Sequence, residues 1–146
     1  MATLDLRAIC TALANQIDTG TTRALACYEL VPPNMPQFPC VIVRTATELV
    51  RYRETFGASA VALADVELEV LVMHQGTSDN DSQIAVLELL GTASANSVPN
   101  AIEADRTLGG VVGNCYVRTA SGISKAVAPD GSEAAMSVIS VSIFTR

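Results

Sequence analysis

The chain has 146 residues, of which 49% are hydrophobic and only 16% charged, with 15 acidic against nine basic side chains and a formal net charge of −6. One domain is expected at this length, burying roughly 70% of the surface its unfolded form exposes. The acidic balance excludes a surface that wraps nucleic acid tightly, since that needs clustered Lys and Arg, and Asp65, Glu67 and Glu69 interrupt the longest apolar stretches, so no membrane span is expected.

The first element is a helix. Leu6, Ile9, Cys10, Leu13 and Ile17 fall at i, i+3, i+4, i+7 and i+11, one face of an α-helix. Thr3 is the expected cap, Asp5 sits in the first turn where its charge suits the dipole, and Gly20 ends the helix. The N-terminus lacks a basic region followed by an apolar one, so no secretion signal is expected and the cysteines are read as reduced, in a cytoplasmic setting.

Residues 25–31 read as a strand stopped by Pro32 and Pro33, and a proline-rich loop runs to Pro39. Residues 40–44 resume as a strand. In residues 45–59, Glu48, Arg51, Arg53 and Glu54 break the alternation, which predicts a polar loop or an exposed hairpin. Residues 60–73 alternate clearly, with Val66, Leu68, Val70 and Val72 on one face and Glu67, Glu69, Leu71 and Met73 on the other. The second face mixes acids with large apolar groups, as a partly covered sheet surface does.

Ser78 and Asp81 have the spacing of a capping box, and Ile84, Leu87 and Leu90 follow at helical period, so a helix is expected from Asp79 to about Gly91. Ser97 can cap a short helix that tolerates Pro99 in its first turn, closed by Gly109 and Gly110. Residues 111–127 and 134–144 then read as two long strands around the turn Pro129, Asp130, Gly131. In the last strand Ile139, Val141 and Ile143 alternate with Ser140 and Ser142, giving it one apolar face.

Chemistry-bearing patterns are sparse. The four cysteines, Cys10, Cys27, Cys40 and Cys115, are dispersed and His74 is the single histidine, so zinc is not expected and no cofactor is implied. His74 with Cys40 or Cys115 leaves a small cysteine-dependent enzyme formally open, against the reading of the cysteines as small core residues. Asp79 and Asp81 resemble the start of a calcium loop that Gln83 and Ala85 break, and Gly109, Gly110 and Gly113 lack the Lys-Ser or Lys-Thr of a phosphate loop. Arg44, Arg51 and Arg53 form the densest basic cluster, with Glu48 and Glu54 among them, suited to local or intersubunit ion pairs or to an arm that reaches a neighbour or a channel.

In their order, the N-terminal amphipathic helix, the turn from Pro32 to Pro39, the strands around Cys40 and Glu67, the helix to Leu90, the segment before Leu108, Gly109 and Gly110, and the closing hairpin resemble the tail terminator, or tail completion, proteins of long-tailed bacteriophages. The resemblance implies an α+β fold: a mixed, mainly antiparallel sheet, two main helices packed on one face and a long C-terminal hairpin. It also implies a non-enzymatic virion protein, assembled in the host cytoplasm, that closes into a hexameric ring on the tail tube and offers a surface to the head-tail connector. DNA passes through the lumen of such a ring without sequence-specific binding. Another neck connector or a tube subunit shares the need for ring contacts and is the alternative. Within this reading the candidate subunit or channel contacts are Arg44, Arg51, Arg53, Glu67, Glu69, Leu71, Met73, Arg118 and Lys125, carried by a 45–56 arm, the Glu67 face and a 118–133 hairpin.

Overall fold

The computed structural model describes residues 5–21, 26–30, 39–52, 64–75, 80–93, 95, 97–127, 131 and 133–145. Helix α1, Leu6–Gly20, buries Ile9, Cys10, Leu13, Ala14 and Ile17, nearly the expected stripe, while Leu6 is half-buried. Its cap is Asp5 and not a residue upstream: the backbone there is extended and the carboxylate accepts from the Ala8 amide at 3.1 Å. Aspartate caps as well as threonine, because either oxygen reaches an otherwise orphaned amide of the first turn. Thr3 lies outside the described residues.

Strand β1, Ala26–Tyr28, is shorter than expected, and the proline-rich loop falls outside the described residues. Strand β2 runs over Cys40–Tyr52, well beyond the expected stop at residue 44. The polar stretch read as a loop is strand as far as Tyr52, because a register shift between Thr45 and Val50 lets pairing with the next strand continue at Val50, Arg51 and Tyr52. A bulge absorbs the lost alternation that a period-of-two reading takes for a strand end. Strand β3, Ala64–Gln75, places Val66, Leu68, Val70 and Val72 in the core, as the alternation predicts.

Helix α2, Asn80–Leu90, departs from expectation in the face it buries. Val86 and Leu89 are buried, whereas Ile84 is 50% and Leu87 56% exposed. Six of the seven residues 84–90 are apolar, so several faces satisfy helical periodicity and packing on the sheet selects among them. Ser78 and Asp79 lie outside the described residues. Helix α3, Val98–Glu103, is capped as expected by the Ser97 hydroxyl, which accepts from the Asn100 amide at 3.2 Å. It ends with Ala104 as its C-cap, so Gly109 and Gly110, both at positive φ, turn the chain beyond the helix and do not close it.

The expected long strand over residues 111–127 is two strands, β4 Asn114–Ala120 and β5 Ser124–Val127. Both pair antiparallel with β6, Glu133–Phe144, whose other edge is occupied by β3 along its length. Ser121 bridges the break between them. Its amide donates to the Val138 carbonyl at 2.8 Å, its hydroxyl accepts from the Val138 amide at 2.9 Å, and its carbonyl accepts from the Ser137 hydroxyl at 2.6 Å. Of the hairpin turn, Pro129 and Asp130 lie outside the described residues, and Gly131 has φ +88, which suits glycine.

The result is an α+β fold built on a six-stranded sheet in the order β1-β2-β3-β6-β4, with β5 also on β6, and antiparallel except for β1 beside β2. The main core joins α1, α2 and α3 to the face carrying Val41, Val43, Leu68, Val70, Ile139 and Val141. All three helices therefore cover the same face.

Candidate functional site

The face of the sheet turned away from the helices gathers most of the candidate contacts. Strand alternation and the pairing register put Glu67, Glu69, Leu71 and Met73 of β3 between Arg44, Ile42 and Cys40 of β2 and Ser142, Ser140, Val138 and Met136 of β6. This face divides in two along the strands. At one end Cys40, Ile42 and Leu71 are buried in a second apolar cluster, with Ala26, Tyr28, Met73, Met136 and Val138 half-buried around them. At the other end lie the charges.

Arg44 donates to one Glu69 oxygen from Nε at 3.0 Å and from Nη2 at 2.8 Å. Glu67 accepts from the Ser142 hydroxyl at 2.9 Å on each oxygen, and Arg118 stands 3.6 Å from it. Arg51 pairs with Glu48 at 2.9 Å, and that hydrogen-bonded carboxylate raises the guanidinium's pKa further. Glu48, Arg51, Glu67, Glu69 and Arg118 line one open cleft of ≈ 540 Å³. With Arg44 the cluster has three guanidinium groups against the carboxylates of Glu48, Glu67 and Glu69, and Asp65, the cross-strand neighbour of Arg51, adds a fourth, so acids outnumber bases there by one. Solvent-exposed pairs of this kind contribute little to stability, because water screens them and ordering two long side chains costs entropy. They give this face of the sheet a patterned charged surface.

Several candidates stand elsewhere than expected. Leu71 is only 6% exposed and belongs to the small apolar cluster, so it is packing and not a free contact. Lys125 lies on the helix side of the sheet, opposite Ala135, and pairs with Glu133, away from the three arginines. Arg53 lies outside the described residues. Both candidate arms are strand-anchored where they are described: residues 45–52 belong to β2, and residues 118–127 are held against β6 by β4, Ser121 and β5. The polar loop expected over the first of them is instead paired strand as far as residue 52.

Sequence reasoning missed Ser142, buried at 3%, whose hydroxyl orients Glu67. Its signal is the serine alternation of β6, which becomes a contact with the glutamates only once the register is known. The exposed Ile84 and Leu87 were missed as surface residues for the reason given above.

Among the described residues, His74 stands beside neither of the cysteines named with it. Cys40 and His74 point to opposite faces, because Cys40 pairs with Met73, the neighbour of His74. Cys115 lies opposite Ile143, which pairs with Val66, eight residues along β3 from His74 and so roughly 26 Å away at the usual strand rise. Burial, then nearby Cys27, pushes the Cys40 thiol up to about 12, and burial, then Glu103, does the same for Cys115. Burial and then Asp18 push Cys27 up to about 11. Such thiols are protonated near neutral pH and poor nucleophiles.

These shifts set an alkaline limit. An unfolded thiol titrates near 9, so above that pH the unfolded chain has released protons that the fold retains. The contribution of the neutral thiols is complete below pH 9 and is lost as pH rises through the folded values of about 11 and 12. Urea midpoints should accordingly fall between about pH 9 and 11, and iodoacetamide at about pH 8 should label Cys40 and Cys115 only after denaturation.

Among the described residues, no group of three or more His, Cys, Asp or Glu side chains could hold a metal ion. Asp79 of the calcium-like pattern lies outside them. The glycine turn is already filled by an anion: the Asp105 carboxylate accepts from the amides of Thr107 at 3.0 Å and Gly109 at 2.9 Å. The Thr107 hydroxyl, followed by these amides, lowers the Asp105 pKa. A phosphate entering the turn would meet that charge. No helix is long and apolar enough to cross a membrane among the described residues. Neither known protein-family models nor curated protein sequences match the chain.

Proposed function

We propose that this chain is a structural virion protein that caps a completed phage tail tube as a closed ring, ends tube polymerisation and presents a surface for joining the head. The supporting observation is the one-sided sheet. Its helices cover one face, and the other exposes an ion-pair cluster beside a partly covered apolar cluster. A low charge content fits a subunit that buries surface against copies of itself, because a ring needs two different contact patches per subunit. The net charge of −6 suits a lumen through which DNA slides without being held. The proposed partners are the tube protein, the head-tail connector and further copies of this chain in a hexamer, located at the head end of the tail.

Size exclusion with light scattering, together with a tube-elongation assay, tests this reading. The expected result is one closed species of fixed mass that stops elongation of preformed tubes when added. Charge reversal by Arg51→Glu with Arg53→Glu should weaken ring formation or head joining by about tenfold, read as native mass and as infectious titre, and a change in neither would overturn that role for the arginines. Filaments growing with concentration would assign a tube subunit instead. A monomer at every concentration that leaves elongation unchanged would overturn the reading.

A further inference from the structure

Helix α2 is apolar on more than one side. Its inner side, Val86 and Leu89, is used by the core, while Ile84 and Leu87 stand half-exposed one turn apart. With Glu88, Gly91 and Ala93 they line an open apolar cleft of ≈ 280 Å³. Two neighbouring large apolar side chains exposed beside an apolar cleft mark a candidate contact surface.

The identity of what covers it is suggested by charge. The described basic side chains are Arg7, Arg44, Arg51, Arg106, Arg118 and Lys125, and all but Arg7 have a carboxylate partner within the chain. Arg7 is exposed on the outer side of α1, at a shallow depression of ≈ 410 Å³. Ala8 and Ala12 line that depression, small enough for another helix to come close, together with Asn15 and with Thr11, whose hydroxyl donates to the Glu29 carboxylate. Asp5 also lines it, with its carboxylate turned to the Ala8 amide. On α2, the exposed Glu88 has no ion pair among the described residues and sits one residue from Leu87. One helix thus offers two projecting apolar side chains and an unpaired acid. The other offers a hollow with small side chains and an unpaired base.

We propose that the outer face of α2 docks into the α1 depression of a second copy of this chain, Ile84 and Leu87 resting over Ala8 and Ala12 and Glu88 meeting Arg7. The contact is heterologous, using different patches on the two copies, as a ring requires. It rests on the reading of the chain as a self-assembling subunit and names the surface by which copies join. The ion-pair cluster on the opposite side of the sheet then stays available to other partners.

The test uses the full chain and four variants: Leu87→Asp, Arg7→Glu, Glu88→Arg and the double reversal Arg7→Glu with Glu88→Arg. All four change side chains that are exposed in the subunit, and circular dichroism melts confirm that each is folded. Leu87→Asp is expected to weaken self-association by tenfold or more, and each single reversal by about tenfold. The double reversal is expected to recover assembly, as is an equimolar mixture of the two single reversals. Unchanged assembly of Leu87→Asp, or no recovery in the double reversal, overturns this contact while leaving a ring built through another surface. A parent chain that never associates overturns the contact and the ring together.

Discussion

Replacing Leu68 by alanine is expected to remove about 3 kcal/mol of folding stability, with most of the loss coming from a cavity the surroundings cannot close. Leu68 is 1% exposed in the middle of β3, paired with Thr45 on one side and Val141 on the other. Its side chain faces the helix layer within the main core. Both neighbouring strands hold it in register, so the sheet cannot collapse into the space without losing ladder hydrogen bonds. Urea denaturation measures the change, and Leu30→Ala, at a side chain 53% exposed, serves as control with an expected shift within about 0.5 kcal/mol. A loss below about 1 kcal/mol at Leu68 would place the core elsewhere.

Gly20→Val is expected to cost about 2 kcal/mol or more, by separating two helices that meet there. A Cβ at Gly20 would lie 2.7 Å from the Ala101 Cβ and 3.1 Å from its Cα. That approach lets Gln16 reach the end of α3, where its side-chain amide donates to the carbonyls of Ala101 at 3.1 Å, Ile102 at 2.6 Å and Asp105 at 2.9 Å. Helix propensity alone predicts a gain of about 1 kcal/mol for Gly20→Ala, so the sign of that milder change separates a local effect from a tertiary one. If contact with α3 dominates, Gly20→Ala destabilises and Ala101→Gly restores part of the loss. Additive behaviour in this double-mutant cycle would show that the helices do not touch through these residues.

The candidate surface shows where local reading ends. Arg44, Glu67 and Glu69 were identifiable as charges on strands, but their assembly with Arg118 depends on β2, β3, β6 and β4 lying side by side. Arg44 and Glu69 are 25 residues apart, and the Glu67 to Ser142 contact spans 75. No local pattern encodes such distances. Lys125 illustrates the converse: it belongs to the same set of cations by composition, yet the register of β5 on β6 turns it to the helix side. Leu71 was read as surface because it alternates with core valines, and it is buried because apolar residues of β2 and β6 sit on either side of it.

The sequence by itself determined the elements whose pattern is local and redundant. The α1 stripe, the alternation of β3 and β6, the serine cap of α3 and the glycine turn each follow from side-chain spacing or backbone freedom within a few residues. Tertiary structure alone decided the rest. It extended β2 through a bulge, divided the penultimate strand at Ser121, and chose which side of the apolar second half of α2 faces inward. In each of those places the local pattern fits more than one arrangement, and the contacts that choose between them come from strands and helices distant in the chain.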